Sequence, residues 1–197
     1  MKPQAFIFIG RSGSGKGTQA NLLIEELKSI NSSISSLYIQ SGQRFREFIQ
    51  GNLFTQKKSK EYYDNGILQP EFLAVDMWIG LLVEKYSGAE HLIFDGTPRK
   101  LHEAGVLESV FDFYNLDKPF VIHIDIAKDE SLKRLLLRKR LDDTKDDILK
   151  RLSWYETDVV PTVNYYRDNP KYTFIEVDGN GSVEDIHKDI IGKLGLK

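Results

Sequence analysis

The stretch GRSGSGKGTQ, residues 10–19, sets four glycines and a lysine directly after the apolar run AFIFI. A tight strand-to-helix turn needs one or two glycines, so the surplus has another use. Glycines let successive backbone N–H groups close around anionic oxygens, and the dipole of the following helix adds partial positive charge there. Gly10, Gly15 and Lys16 give the spacing G-x-x-x-x-G-K, in the strand–loop–helix context that a phosphate-binding loop requires. Lys16 can reach terminal phosphates beyond the cradle formed by Gly13, Ser14, Gly15 and Gly17. The chemistry indicated is the binding of a polyphosphate.

The elements that must position this loop follow from apolar runs bounded by turn residues. Strands are expected over Ala5–Ile9, Leu37–Ile39, His91–Phe94, Phe120–Ile126 and Tyr172–Val177. Most are continuously apolar, which suits a parallel sheet covered on both faces. Helices fall between them. Ala20, Leu23 and Leu27 share one helical face, and Phe72, Val75, Ile79 and Leu82 another. Further helices are expected over Lys100–Phe113, Ser131–Lys139 and Thr144–Arg167, the last divided by Pro161. SVED at Ser182 opens the final helix with a capping box. The alternation predicts an α/β fold, a doubly wound parallel five-stranded sheet. Residues 41–70 contain no strand and read as a small helical insert.

Composition narrows the partners. A net charge of -2 gives no global basic field for nucleic acid or an acidic membrane, so anion binding must be local. The absence of cysteine excludes disulfides and thiolate metal sites and fits a reducing cytoplasm. No run approaches transmembrane length and no signal peptide is visible. The four histidines show no ligand spacing. DGNG at Asp178 imitates half a calcium loop, but the position where that loop needs its glycine holds Val183.

The residue after Lys16 is Gly17, and the hydroxyl comes one place later as Thr18. GSGKGTQA in this form resembles the phosphate loop of the adenylate kinase and nucleoside monophosphate kinase family. The resemblance extends through SGQRFRE, YYDNGILQPE, FDGTPR, RLLLRKRLDD and VDGNGSVED. It implies a P-loop NTPase-type sheet in which 41–70 binds the monophosphate, with core 1–40 and 71–197. It puts Arg46 and Arg99 on the acceptor phosphate, with Ser41, Leu68, Gln69, Gly96 and Glu103 around the acceptor. It puts Arg134 and Arg138 on the donor, Arg140 and Arg151 near the reacting phosphates, and the backbone at Gly181 against the donor's adenine. Asp95 would hold Mg²⁺ through water, with Asp142 and Asp143 orienting the arginines. A cationic set on both sides of the moving phosphoryl is what phosphoryl transfer demands.

The chain also departs from that pattern. Only Lys139 separates Arg138 from Arg140, so the lid is reduced to a vestige at 138–140. Thr97 replaces a bulky aromatic residue, and Gln43 an aspartate. Glu103 stands where a glutamine would read adenine. An ionised carboxylate only accepts hydrogen bonds, which leans toward guanine, whereas the resemblance leans toward adenine. Two routes would restore adenine, a protonated Glu103 or an amide supplied by Gln69, and the expectation is the Gln69 route. The reading is a cytoplasmic, monomeric enzyme moving the terminal phosphoryl of Mg·ATP onto AMP. Its alternatives are a kinase for GMP, CMP, UMP or a small metabolite, and a catalytically weak nucleotide-binding regulatory module.

Overall fold

A computed structural model describes residues 2–138 and 145–196. Five strands, β1 (Ala5–Ile9), β2 (Ser36–Gln40), β3 (His91–Asp95), β4 (Phe120–Asp125) and β5 (Thr173–Asp178), form one sheet in the order β2-β3-β1-β4-β5. Every pairing is parallel. The expected strands are all present, within a residue or two at their ends. β1 lies centrally, where the connections turn from one side of the sheet to the other. In such sheets the crevice beyond the strands' carboxyl ends at that switch point is where ligands bind.

The helices cover both faces. Ala5, Ile7 and Ile9 point into one core with α4 (Glu71–Lys85), α5 (Leu101–Tyr114) and α8 (Val160–Asp168). Phe6 and Phe8 point into the other, with α1 (Lys16–Ile30) and α9 (Val183–Leu194). This two-sided burial is why β1 reads as an unbroken apolar run rather than an alternating one. Ser182 caps α9, its hydroxyl oxygen accepting from the Asp185 N–H at 3.1 Å.

Residues 41–70 carry two helices, α2 (Ser41–Phe48) and α3 (Phe54–Asp64), and no strand. Phe45 of α2 packs on Leu73 and Met77 of α4. That contact corrects the expected face of α4. Leu73, Met77, Trp78 and Leu82 are its buried residues, whereas Phe72 is 69% exposed. The helix serves two clusters at once, so its buried stripe is rotated from the one that the sheet alone would need.

The long helix expected after residue 144 is divided as Pro161 required, with an additional feature before it. Between α7 (Lys145–Trp154) and α8 runs a π-helical turn, Tyr155–Val159. Proline lacks the N–H that an interior turn uses, and the wider turn sits where the ladder must change. α6 (Lys128–Arg138) packs on α7 through Leu135, Ile148 and Leu152.

Trp78 is fully buried and meets Phe94 edge-on at 6.3 Å, joining α4 to the sheet. Trp78→Ala is expected to lower unfolding stability by about 3–5 kcal/mol, read as a shifted urea midpoint with an unchanged slope. A loss under about 1 kcal/mol would mean that α4 is not locked to β3 by this ring.

Candidate active site

The loop after β1 wraps the Lys16 ammonium. Lys16 Nζ donates to the carbonyls of Gly10 and Arg11 at 2.8 and 2.7 Å. Gly10, Gly13 and Gly15 take φ of 149, 85 and 93°, values that side-chain-bearing residues rarely adopt. Burial pushes the Lys16 amine down to about 8; the neighbouring Asp95 carboxylate opposes this, and Arg99 and Arg138 reinforce it. Asp95, at the carboxyl end of β3, accepts on Oδ2 from the Tyr38 hydroxyl at 2.9 Å and the Gln40 amide at 3.2 Å. Gly17 faces the same oxygen: a Cβ there would lie 3.2 Å from it. A hydroxyl-bearing side chain directly after Lys16 would press on Asp95, and Thr18 carries the hydroxyl instead.

Lys16, Gly17, Thr18, Gln40 and Asp95 line one cleft of about 1530 Å³ beyond the strands' carboxyl ends. Its walls include the whole loop from Ser12 to Thr18, Gly181 at the start of α9, and Leu68, Gln69 and Gly96. Arg46, Arg99, Arg134, Arg138 and Arg151 line it as well, so the structure brings the expected arginines of the described residues together. Arg99 Nε donates to the Gly96 carbonyl at 2.9 Å, and its guanidinium stands 5.8 Å from the Trp154 ring centroid. Arg46 is held by the Gln43 side chain at 2.7 Å, and Arg134 by Glu130 at 3.0 Å. Arg151 Nε donates to the Asp147 carbonyl at 3.3 Å. Burial lowers the basicity of Arg99; Glu103 and Asp95 counter that, while Arg151 and Arg46 add to it. Cations from five separate segments therefore repel one another across a shared space. An anion placed there would relieve that repulsion.

Two expected residues fall outside the cleft wall, and a third lines it with its side chain engaged. Ser41 is buried outside the cleft wall, and its hydroxyl donates to the Gly96 carbonyl at 2.9 Å. Glu103 is also buried outside the wall; its Oε2 accepts from the Arg99 backbone N–H at 3.0 Å. A carboxylate in the first turn of α5 satisfies an N–H that the helix leaves unpaired, so Glu103 fixes Arg99. Gln69 lines the cleft, but its amide is already engaged: Oε1 accepts from the Ser59 hydroxyl and Nε2 donates to the Ser59 carbonyl, both at 2.9 Å. In this structure the amide ties the end of the 41–70 segment to α3. Arg140, Asp142, Asp143 and the 138–140 vestige lie outside the described residues, apart from Arg138 itself.

Sequence reasoning missed Tyr38 and Gln40, which hold Asp95, and Trp154, which stands beside Arg99. The first two sit at the end of an edge strand, and their nearness to Asp95 depends on β2 lying beside β3. The strand order is not written in local sequence.

No group of three or more His, Asp or Glu able to cage a metal exists among the described residues. Asp95 stands beside Gly17 and Lys16. That arrangement fits a magnesium ion carried mainly by phosphate oxygens and water rather than by protein ligands.

A family model described as adenylate kinase matches residues 8–171. The chain belongs to the adenylate kinase family. It is 32% identical over 189 residues to adenylate kinase 1 of Nostoc sp., covering 96% of this chain and 97% of that protein. It is 31% identical to the adenylate kinase of Corynebacterium diphtheriae over 96% of this chain and 98% of that one. With the adenylate kinase of Bacteroides fragilis the identity is 32%, over 93% and 94%. Family membership accounts for the doubly wound sheet and the loop. Among the described residues no helix is long and apolar enough to cross a membrane.

The Lys16 environment gives a pH test. Below its lowered pKa the ammonium is charged and can meet phosphate; above it the charge is lost. kcat/KM for ATP should therefore fall as pH rises through about 8, while the limb in kcat lies higher, because bound phosphate favours the charged amine. For the nucleotide-free fold the sign is opposite. The cost of burying the charged amine is present below about pH 8 and is relieved between about 8 and 10.5. An alkaline limb retained at the same pH in Lys16→Met would assign the titration to another group.

Proposed function

We propose that this chain transfers the terminal phosphoryl group of Mg·ATP reversibly to AMP, giving two ADP. The observation that carries the reading is the convergence of Lys16, Arg46, Arg99, Arg138 and Arg151 on one cleft at the sheet's switch point. In phosphoryl transfer negative charge spreads over the moving group, and the protein's work is chiefly positioning and electrostatic stabilisation. The loop would seat the donor's phosphates on its N–H groups, with Lys16 Nζ turning from the Gly10 and Arg11 carbonyls to a phosphate oxygen. Arg46 and Arg99 would take the acceptor phosphate, bringing its oxygen in line with the donor. Arg138 and Arg151 would compensate the transferring charge from the opposite side. Arginine suits this because its planar fork binds two phosphate oxygens at once. Magnesium bound near Asp95 would neutralise the donor phosphates. The reading takes 41–70 as the acceptor-binding insert, and the chain as a cytoplasmic monomer, supported by the family resemblance and the lack of cysteine.

AMP is the acceptor in this reading because the chain's relatives are adenylate kinases. Glu103 and Gln69 are engaged within the protein, so neither is required to oppose adenine. Gln69→Val is then expected to weaken AMP and GMP alike by loosening the insert, leaving their ratio within about threefold. A tenfold collapse of AMP relative to GMP would return Gln69 to the role of base reader, because about 1.4 kcal/mol of lost base contact is tenfold. In the same assay Lys16→Met should lower kcat roughly 10²- to 10³-fold in a folded protein. Turnover near the wild-type rate would remove the mechanism, and wild-type preference for another monophosphate would remove AMP as acceptor.

A further inference from the structure

Helix α3 ends in a hydrogen-bonded reversal that meets the far wall of the cleft. Gly66, at φ 64, donates its N–H to the Tyr63 carbonyl, and Ile67 donates to the Tyr62 carbonyl at 2.9 Å. This is the glycine-terminated helix end in which the reversal itself satisfies the Tyr62 and Tyr63 carbonyls, and the carbonyls of Asn65 and Gly66 just beyond them take outside donors. Two donors reach them from α7. Lys150 Nζ donates to the Asn65 carbonyl at 2.9 Å, and Trp154 Nε1 donates to the Gly66 carbonyl at 3.1 Å. Both interactions favour the negative end of the α3 dipole. The approach is close: a Cβ on Gly66 would lie 2.9 Å from Lys150 Cδ and 3.4 Å from Asp147 Oδ1. Asp147, Lys150 and Trp154 follow one another at helical spacing, so a single face of α7 receives the end of α3.

The same indole also faces Arg99. Trp154, Gly66 and Arg99 all line the cleft, so this contact forms part of its wall.

We propose that Trp154, together with Lys150, is a clasp that closes the 41–70 segment over the cleft and sets Arg99 against the acceptor phosphate. Trp154 is a positioning residue: its N–H holds the segment and its ring holds the arginine. The inference deepens the AMP-kinase reading and rests on it for the identity of the acceptor, while the clasp itself is readable without nucleotide.

The test uses the full chain with Trp154→Phe, which keeps a ring beside Arg99 but loses the N–H, with Lys150→Met, and with both. Each lost hydrogen bond is expected to raise KM for AMP roughly three- to tenfold, with a smaller effect on KM for ATP. A general loss of structure would move both. Trp154→Ala should additionally lower kcat, because Arg99 loses its support. Without nucleotide, amide hydrogen exchange over residues 54–67 should quicken in the double variant, with β3 and β4 unchanged. Unchanged exchange over 54–67, with KM for AMP within twofold of wild type, would overturn the clasp. Faster exchange in a protein that never phosphorylates AMP would leave the clasp standing and remove the kinase reading.

Discussion

Mutual repulsion among half-buried cations is the constraint around which this molecule is arranged. Lys16, Arg46, Arg99, Arg138 and Arg151 share one cleft in a chain whose net charge is -2. Without compensation such charges would spread into solvent. The fold restrains four of them through near neighbours: Lys16 by loop carbonyls, Arg46 by Gln43, Arg99 by Gly96 and the Trp154 ring, and Arg151 by the Asp147 carbonyl. The field is thus set before a ligand arrives, which is the condition under which electrostatic catalysis has no reorganisation cost.

Parallel strands make this possible. Their carboxyl ends all open on one edge of the sheet, so the loops after β1, β2 and β3 meet although they are far apart in sequence. Asp95 illustrates the result. It ends β3, is steadied by Tyr38 and Gln40 from β2, and faces Gly17 at the start of α1. Glu103 adds a less direct contribution by accepting the Arg99 N–H, so that the arginine's backbone is fixed as well as its side chain.

Much of this was legible in the sequence because it is written locally. The phosphate loop is contiguous, the strands are continuous apolar runs, and Pro161 and Ser182 mark helix boundaries by their own chemistry. What escaped depends on tertiary neighbours. Phe72 satisfies a helical period with Val75 and Ile79, yet it is exposed, because α4 also has to meet Phe45 of α2. Gln69 and Glu103 have the composition of base readers, but their partners, Ser59 and the Arg99 N–H, are found only once the chain is folded. Trp154 carries no motif at all; its importance comes from α7 lying against the end of α3.

Whether this cleft moves a phosphoryl group between nucleotides or passes it to water is the question on which the account turns. The direct measurement is to incubate the purified chain with AMP, Mg²⁺ and ATP labelled in its terminal phosphoryl, and to follow where the label goes. The account predicts label in the β-phosphoryl of ADP formed from AMP, with far less released as inorganic phosphate. Label found chiefly in inorganic phosphate, or left in ATP while AMP is bound, would contradict it.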